Sequence, residues 1–368
     1  MDKGRNCCAV NDSDNERGSL VGSQIEECFL IGRDDGLYEI SFQRGRTETI
    51  QWIQKISEAR PDCITVLREM GSTTICYAAF GNKILSFKQK GFEGRWEKTG
   101  ESASGGGEAS CILALSDKHC LIAANGRSGL ITAIHLNQDG SIGSIQDQKP
   151  LPGRHGPDRR RQLWSYAGGL AADFDGTGFF VCNQGNDMIT MAEIEKNGKI
   201  IFGSSISLRP ASCPSEIMTA EGKHVVLALS NGIESITCFK YGEKSLIPFQ
   251  IVQPLPQYYT GLNVSCHHML CGEHYAVWLC DGLDCAAVFQ VNDGLRNGKW
   301  IPFSVGAEGG LKIAGKRAMC RDERDRDAFW IGGEKEIWRI EAGTGDAVRW
   351  SSPEFEGIVC LFHMGKGS

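Results

Sequence analysis

One pattern recurs seven times along this chain of 368 residues: a short apolar run, a polar turn, and a second run in which apolar and polar residues alternate. Alternation with a period of two is typical of a half-buried β-strand. Successive apolar runs begin about 50 residues apart, the spacing expected of four-stranded propeller blades. The apolar runs are residues 28–31, 75–79, 119–124, 179–182, 225–229, 275–279 and 328–331. The sequence therefore predicts an all-β fold, a seven-bladed β-propeller with four-stranded antiparallel blades.

The predicted blades fill almost the whole chain. Residues 1–22 are polar and lack the repeated unit, so they predict a disordered N-terminal tail, and residues 23–368 predict a single propeller domain. The apolar run 357–362 is a candidate strand that closes the ring with the N-terminal blade. Because the inner strands of a propeller surround a central channel, we expect ligand groups at the start of each inner strand and at the end of each second strand.

Composition excludes several classes of function. The formal net charge is −6 and no basic stripe is present, so the sequence predicts that this chain does not bind nucleic acid. No run of 18 apolar residues and no apolar segment typical of a signal peptide occurs, so we predict a cytoplasmic protein without a membrane span. Its 16 cysteines are then expected to be reduced thiols. The expected partner is an apolar small molecule, and the oligomeric state is left open.

The cysteines also raise the question of a metal. Cys266, His268 and Cys271 lie close enough in sequence to suggest a zinc site. Cysteine is equally a small apolar residue that fills buried strands, and no two Cys-x-x-Cys pairs occur that would support zinc. We therefore predict neither a metal nor a cofactor.

Motifs in the middle of the chain carry a resemblance to a known family. They are GP at 156–157, RQ at 161–162, DGTGFFV at 175–181, GND at 185–187, FKY at 239–241, LP at 255–256, TGLN at 260–263 and VF at 288–289. In order and spacing the chain resembles the seven-bladed lactonase group, which includes propeller-type 6-phosphogluconolactonases and carboxymuconate-lactonising enzymes. The resemblance implies a propeller with its active site in the central channel.

The residues that the family uses for chemistry are replaced. The family follows its Arg-Gln with Pro-His-x-His, and the two histidine positions are Tyr166 and Gly168 here. Its Gly-Pro-Arg-His in the next blade reads Cys-Pro-Ser-Glu at 213–216. Its Asn-Glu is Ser-Asn at 230–231, and its Asn-Arg is Cys-Asp at 280–281. Only His268 keeps a family-like position. A phosphorylated or carboxylated lactone needs cationic groups, so the replacements predict an uncharged ligand.

The replacements define a candidate pocket. We predict Tyr166, Glu216 and His268 as catalytic residues, because they offer a hydrogen-bond donor and an acid–base pair. The predicted substrate-binding residues are Trp164, Asn231, Tyr258, His267, Asp281 and Arg317. Alternatives stay open: Trp164 and Tyr166 could fill the channel, Glu216 could pair with Arg209 or Arg317, and Asp281 could cap a turn. Strand alternation permits only one of the two adjacent histidines to face the channel.

Three functions compete. The first is a cyclase of natural-product metabolism that holds an apolar molecule in a near-attack pose, for example for a (hetero-)Diels–Alder reaction. In size the chain is similar to fungal hetero-Diels–Alderases, a likeness of class without a shared motif. The second is a lactone hydrolase with a rebuilt site, in which Glu216 or His268 activates water. The third is a propeller that binds a partner protein without catalysis.

Overall fold

The computed structural model describes residues 26–43, 50–69, 73–91, 94–220, 222–254, 266–280, 285–302, 318–333 and 335–365. These residues form seven antiparallel sheets of four strands each, one sheet for each blade. The seven-bladed propeller predicted from the repeated strand pairs is confirmed. The predicted tail at residues 1–22 lies outside the described residues.

The strands fall into four positions, counted from the channel outwards. The inner strands are β4 (Cys63–Glu69), β8 (Ala109–Leu115), β12 (Ala167–Ala172), β16 (Pro214–Ala220), β20 (Cys266–Cys271), β24 (Ala318–Arg321) and β28 (Ile358–His363). The second strands are β1 (Glu26–Arg33), β5 (Thr73–Phe80), β9 (Cys120–Asn125), β13 (Gly178–Asn183), β17 (Val225–Ser230), β21 (Tyr275–Cys280) and β25 (Ala328–Gly332).

The third strands are β2 (Gly36–Gln43), β6 (Lys83–Lys90), β10 (Leu130–Leu136), β14 (Met188–Ile194), β18 (Ser235–Gly242), β22 (Cys285–Val291) and β26 (Glu336–Glu341). The outer strands are β3 (Gln51–Ser57), β7 (Trp96–Ala103), β11 (Ile142–Pro150), β15 (Ile200–Ser207), β19 (Ser245–Val252), β23 (Leu295–Pro302) and β27 (Asp346–Ser351). The repeated apolar runs of the sequence are therefore second strands, and the inner strands come just before them in the chain.

Burial explains this order. The second strand β17 is buried along its whole length because neighbouring blades cover both of its faces. The outer strand β19 is mostly exposed, with Ile247 and Phe249 at the surface. The hydrophobic core lies between blades: one cluster joins Leu227 of one blade to Trp278 of the next. Each blade is therefore held mainly by its two neighbours around the ring.

The two ends of the described chain share one blade. The strand β28 pairs antiparallel with β1, and its residues Cys360 and Leu361 lie opposite Gly32 and Ile31. This pairing confirms the predicted closing strand. The helical elements of the described residues are two 3₁₀ turns, Ser116–Lys118 and Pro353–Phe355. Within the described ranges, no helix has the length and apolar character needed to cross a bilayer.

Candidate active site

A β-bulge lies near the start of five of the seven inner strands. The extra residue is Ser110 in β8, Ser215 in β16, His267 in β20 and Val359 in β28, and in β12 it lies in the pair Gly168–Gly169. A bulge interrupts the ladder of hydrogen bonds and redirects the neighbouring side chains. Here it acts at the end of the channel where the inner strands begin.

The residue after the bulge defines one layer of the channel wall, which we call the channel layer. On each inner strand this residue lies opposite the penultimate residue of the second strand, such as Ala124 in β9 or Leu229 in β17. In β12 the bulged pair Gly168–Gly169 lies opposite the penultimate residue of β13. The strands β4 and β24 have a regular ladder, and their layer residue is the one that pairs with the penultimate residue of the second strand. The channel layer consists of Cys63, Cys111, Gly168–Gly169, Glu216, His268, Met319 and Cys360.

Two members of the channel layer form a hydrogen-bonded pair. Glu216 Oε1 lies 2.9 Å from His268 Nδ1, and Glu216 Oε2 accepts the backbone N–H of Met269 at 2.7 Å. Because an ionised carboxylate can only accept, the neutral imidazole carries its proton on Nδ1 and its basic lone pair on Nε2. The side chains are 39% and 23% exposed for His268 and Glu216, so both reach the channel. This arrangement is suited to general acid–base chemistry.

A cavity of about 200 Å³ lies against this pair. Five members of the channel layer line it: Cys111, Gly169, Glu216, His268 and Met319. The rest of the lining is apolar and includes Leu170, Ile217 and Met269. Burial raises the pKa of the Cys111 thiol to about 11, and the Glu216 carboxylate also raises it. Cys111 is therefore a neutral thiol near pH 7.

Glycine at position 169 allows the strand with Glu216 to come close. A Cβ atom on Gly169 would lie 2.8 Å from Glu216 Cα, a distance at which something must shift. A Cβ on Gly168 would lie 2.9 Å from the carbonyl oxygen of Ser215. Positions 168 and 169 therefore have no room for a side chain without a movement of β16.

A second cavity, of about 280 Å³, adjoins the first at the start of the inner strands. The two meet along β8, where Ser110 lines one and Cys111 the other. The second cavity is polar, and its charged lining residues are Arg60, Asp62, Glu108 and Arg127. Their formal charges cancel, and Arg60 forms an ion pair with Asp34 at 3.1 Å. Sequence reasoning missed these arginines because no family motif contains them.

The structure places two of the three predicted catalytic residues in contact and the third in a different cavity. Glu216 and His268 are in contact, and the described partners of Glu216 are His268 and Met269 rather than Arg209. Tyr166 lines the second cavity, with its ring against Gly126 and its backbone N–H donated to Asn183. Its catalytic role stays a prediction.

The predicted binding residues are placed as follows. Trp164 lies on the loop before β12, is half exposed, and is absent from the described lining of either cavity. Asn231 follows β17, and its side-chain oxygen is buried without a hydrogen-bond partner among the described residues. The backbone of His267 occupies the bulge of β20. Its side chain and the residues Tyr258, Asp281 and Arg317 lie outside what the structure describes.

The retained motif residues serve the loops rather than the channel. Asp187 accepts hydrogen bonds from the backbone N–H groups of Ala211 and Cys213 at 2.7 and 2.8 Å, and from Gln162 Nε2 at 2.7 Å. A Cβ on Gly185 would lie 1.9 Å from the carbonyl oxygen of Trp164. The RQ and GND motifs thus build the loops that lead into β12 and β16.

The eleven cysteines whose side chains the structure describes are free thiols. Among the described side chains, no group of three or more His, Cys, Asp or Glu residues is arranged to hold a metal ion. His268, one of the residues considered for zinc, instead pairs with Glu216.

The fold and the motifs agree with a comparison of sequences. The profile of the family described as "Lactonase, 7-bladed beta-propeller" matches residues 20–281, more than half of this chain. The chain belongs to the lactonase family of seven-bladed β-propellers. No curated protein matches it significantly in sequence. The match extends from the described N-terminal blade to the end of β21 in this lactonase-family chain.

Solved structures similar to this family member have low sequence identity. A candidate 6-phosphogluconolactonase of Bacteroides fragilis has a TM-score of 0.74 at 15% identity and covers 95% of this chain and 100% of its own. The periplasmic gluconolactonase PpgL of Pseudomonas aeruginosa has a TM-score of 0.76 at 13% identity, with coverages of 92% and 99%. At these identities the likeness shows the fold alone.

Proposed function

We propose that this chain is an enzyme in which His268 and Glu216 form a general acid–base pair, and that it opens or closes the ring of an uncharged lactone. The observation that carries the proposal is the pair itself, with Glu216 fixed by both His268 and the Met269 N–H inside the channel cavity. Membership of the lactonase family supports lactone chemistry.

The proton transfers follow from the tautomer. His268 Nε2 takes a proton from water as the oxygen adds to the lactone carbonyl, and Glu216 stabilises the imidazolium that forms. The imidazolium then returns the proton to the ring oxygen as the C–O bond breaks. Ring closure is the same path in reverse. General acid–base help of this kind contributes about 10²- to 10⁴-fold in rate.

The charges around the channel favour an uncharged substrate. The described members of the channel layer include no lysine or arginine, and the four charged residues of the second cavity sum to zero. A phosphorylated or carboxylated ring would therefore find no net cationic site in the described part of the channel. The apolar lining by Leu170, Ile217 and Met269 suits a substrate with a hydrocarbon body.

The test is hydrolysis of uncharged lactones of increasing apolar size, with 6-phosphogluconolactone alongside, each compared with its spontaneous rate. We expect acceleration for the apolar lactones and loss of that acceleration in His268→Gln. The matched control is His274→Gln, because His274 also pairs with a carboxylate, Asp327, at 2.7 Å but lies at the exposed surface. Equal activity of the two variants would refute the assignment of the acid–base pair.

A cyclase acting on an apolar natural product is a second candidate. It is favoured by the apolar lining of the channel cavity, which would bind an apolar molecule. A cycloaddition requires mainly that the protein hold the two reacting groups in the correct relative position. In that reaction the His268–Glu216 pair would remove water from a precursor. Turnover of enone or polyene substrates without any lactone hydrolysis would select this function over the first.

A further inference from the structure

Of the eleven cysteines whose side chains the structure describes, three differ from the other eight. Cys63, Cys111 and Cys360 are partly exposed, whereas the other eight are buried. All three occupy the channel layer, on the consecutive inner strands β28, β4 and β8. The partly exposed cysteines with described side chains thus lie along one arc of the channel wall, on strands other than those of Glu216 and His268.

Cys111 is the thiol of this arc that lines the cavity beside the acid–base pair. The thioethers of Met218, Met269 and Met319 line the same cavity. Sulfur is polarisable, and thioethers make favourable contacts with flat conjugated groups. The cavity therefore offers a nucleophilic atom, a base and a soft apolar surface within about 200 Å³.

The resting thiol is protected from indiscriminate reaction. The thiolate is the nucleophilic form of cysteine, and the raised pKa of Cys111 keeps the group protonated near neutral pH. Cys111 therefore reacts only under two conditions. The ligand must fit the cavity, and a neighbouring base must accept the thiol proton. His268 is the imidazole of the channel layer that lines the cavity, and imidazole is the side-chain group that commonly accepts a proton near neutral pH.

We propose that Cys111 is a covalent capture site for α,β-unsaturated carbonyl compounds that enter the channel. The Cys111 sulfur adds to the β-carbon, the carbon–carbon π pair moves toward the carbonyl to give an enolate, and the thiol proton reaches the α-carbon through His268. The product is a thioether in which every atom of thiol and ligand is retained, so no oxidant or leaving group is needed. The site is independent of whether the chain turns over a lactone.

The experiment exposes the full chain at pH 7 to α-methylene-γ-butyrolactone, with saturated γ-butyrolactone as the matched control. Intact mass measures the number of adducts, and peptide mapping locates them. Cys7 and Cys8, which lie in the predicted disordered tail, are replaced by serine for this experiment so that ordinary exposed thiols do not react first. Among the cysteines whose side chains the structure describes, we expect one rapid adduct, at Cys111, with the unsaturated compound and none with the saturated one. His268→Gln and Glu216→Gln should slow this labelling at least about tenfold, because the base is removed or its tautomer changed.

Two variants separate capture from general thiol reactivity. Cys111→Ser should lose the rapid adduct, while Cys182→Ser should keep it, because Cys182 is a fully buried thiol that feels the same Glu216 carboxylate but does not line the cavity. If Cys111→Ser folds poorly, peptide mapping of the unaltered chain still decides the site. First labelling at another of the cysteines whose side chains the structure describes, labelling of Cys111 only after unfolding, or a labelling rate that His268→Gln leaves unchanged would overturn the proposal.

Discussion

Single residues of the channel layer differ sharply in their readiness to ionise. Burial raises the pKa of Cys63 well above its usual range, that of Cys111 to about 11 and that of Cys360 to about 12. These thiols stay neutral near pH 7, and Met319 does not titrate. The described members of the layer that remain as candidates for proton transfer are Glu216 and His268, which are hydrogen-bonded to each other.

Replacing Glu216 by glutamine tests the tautomer of His268. The amide oxygen would accept the Met269 N–H as the carboxylate does, which turns the amide NH₂ toward His268 Nδ1. Nδ1 then accepts, the ring proton moves to Nε2, and the basic lone pair no longer faces the substrate. We expect kcat to fall about 10²-fold or more with little change in KM. A KM effect alone would mean that Glu216 binds substrate instead of orienting the histidine.

Replacing Gly169 by alanine tests the close approach of β12 and β16. The new Cβ would press on the Glu216 backbone at 2.8 Å, so we expect a loss of about 1–3 kcal/mol in stability and reduced activity. Gly203→Ala on β15 is the control, because its Cβ would meet its nearest neighbour at 3.7 Å and should change stability by less than about 0.5 kcal/mol. Urea unfolding measures both, and an unaffected Gly169→Ala would show that β16 can move freely.

At the scale of strands and loops, the residues that fix the loops are different from the residues that line the channel. The RQ and GND motifs place Gln162 and Asp187 in a buried hydrogen-bond network that fixes the loop before β16. The bulge at Ser215 then turns Glu216 into the channel layer. In this chain, the residues that fix the loop are therefore different from those that line the channel.

Asp187→Ala tests this division. The variant leaves the Ala211 and Cys213 N–H groups without their charged acceptor, and hydrogen bonds to charged groups contribute about 1.5–3 kcal/mol each. We expect a loss of at least about 3 kcal/mol in the free energy of unfolding. Asp175→Ala, at an exposed turn of the same blade, should be close to neutral. Similar unfolding curves for the two variants would contradict a scaffold role for Asp187.

The sequence predicts the blades well because strand period and repeat spacing are local properties. Glu216 and His268 could be predicted from family spacing, since each follows a recognisable strand start. Cys111, Gly169 and Met319 could not be predicted as members of the same layer, because bulges shift the register by one residue in most inner strands. Arg60 and Arg127 were missed because they approach the channel from loops without a motif.

At the scale of the whole molecule, a buried charged network joins the two ends of the ring. His363 of β28 is fully buried, and its Nε2 lies 2.8 Å from Glu27 Oε2 of β1. Its Nδ1 lies 3.3 Å from Asp322 Oδ1 and 3.0 Å from the Glu323 N–H, so a protonated ring donates to Asp322 and a neutral ring accepts from Glu323. Arg324 binds Glu27, and Arg339 binds Asp322 at 2.7 Å.

This network predicts that closure of the ring depends on pH. Burial by itself lowers the pKa of His363, but hydrogen bonds with Asp322 and Glu27 outweigh it and raise the pKa above its usual value. Because the folded pKa exceeds the unfolded one, the stabilisation is complete below about pH 6.5 and is lost as pH rises through the folded value. Each unit of difference corresponds to about 1.4 kcal/mol.

Urea unfolding between pH 6 and 8 measures this dependence, in a range below the ordinary pKa of cysteine thiols. We expect the free energy of unfolding of the unaltered chain to fall across the range, and His363→Gln to be less stable at pH 6 with a flatter profile. His274→Gln should keep the slope, because His274 pairs with Asp327 at the surface and not at the ring closure. Since β28 is the strand that joins the last blade to β1, a slope that survives in His363→Gln would assign the pH dependence to groups outside the closure.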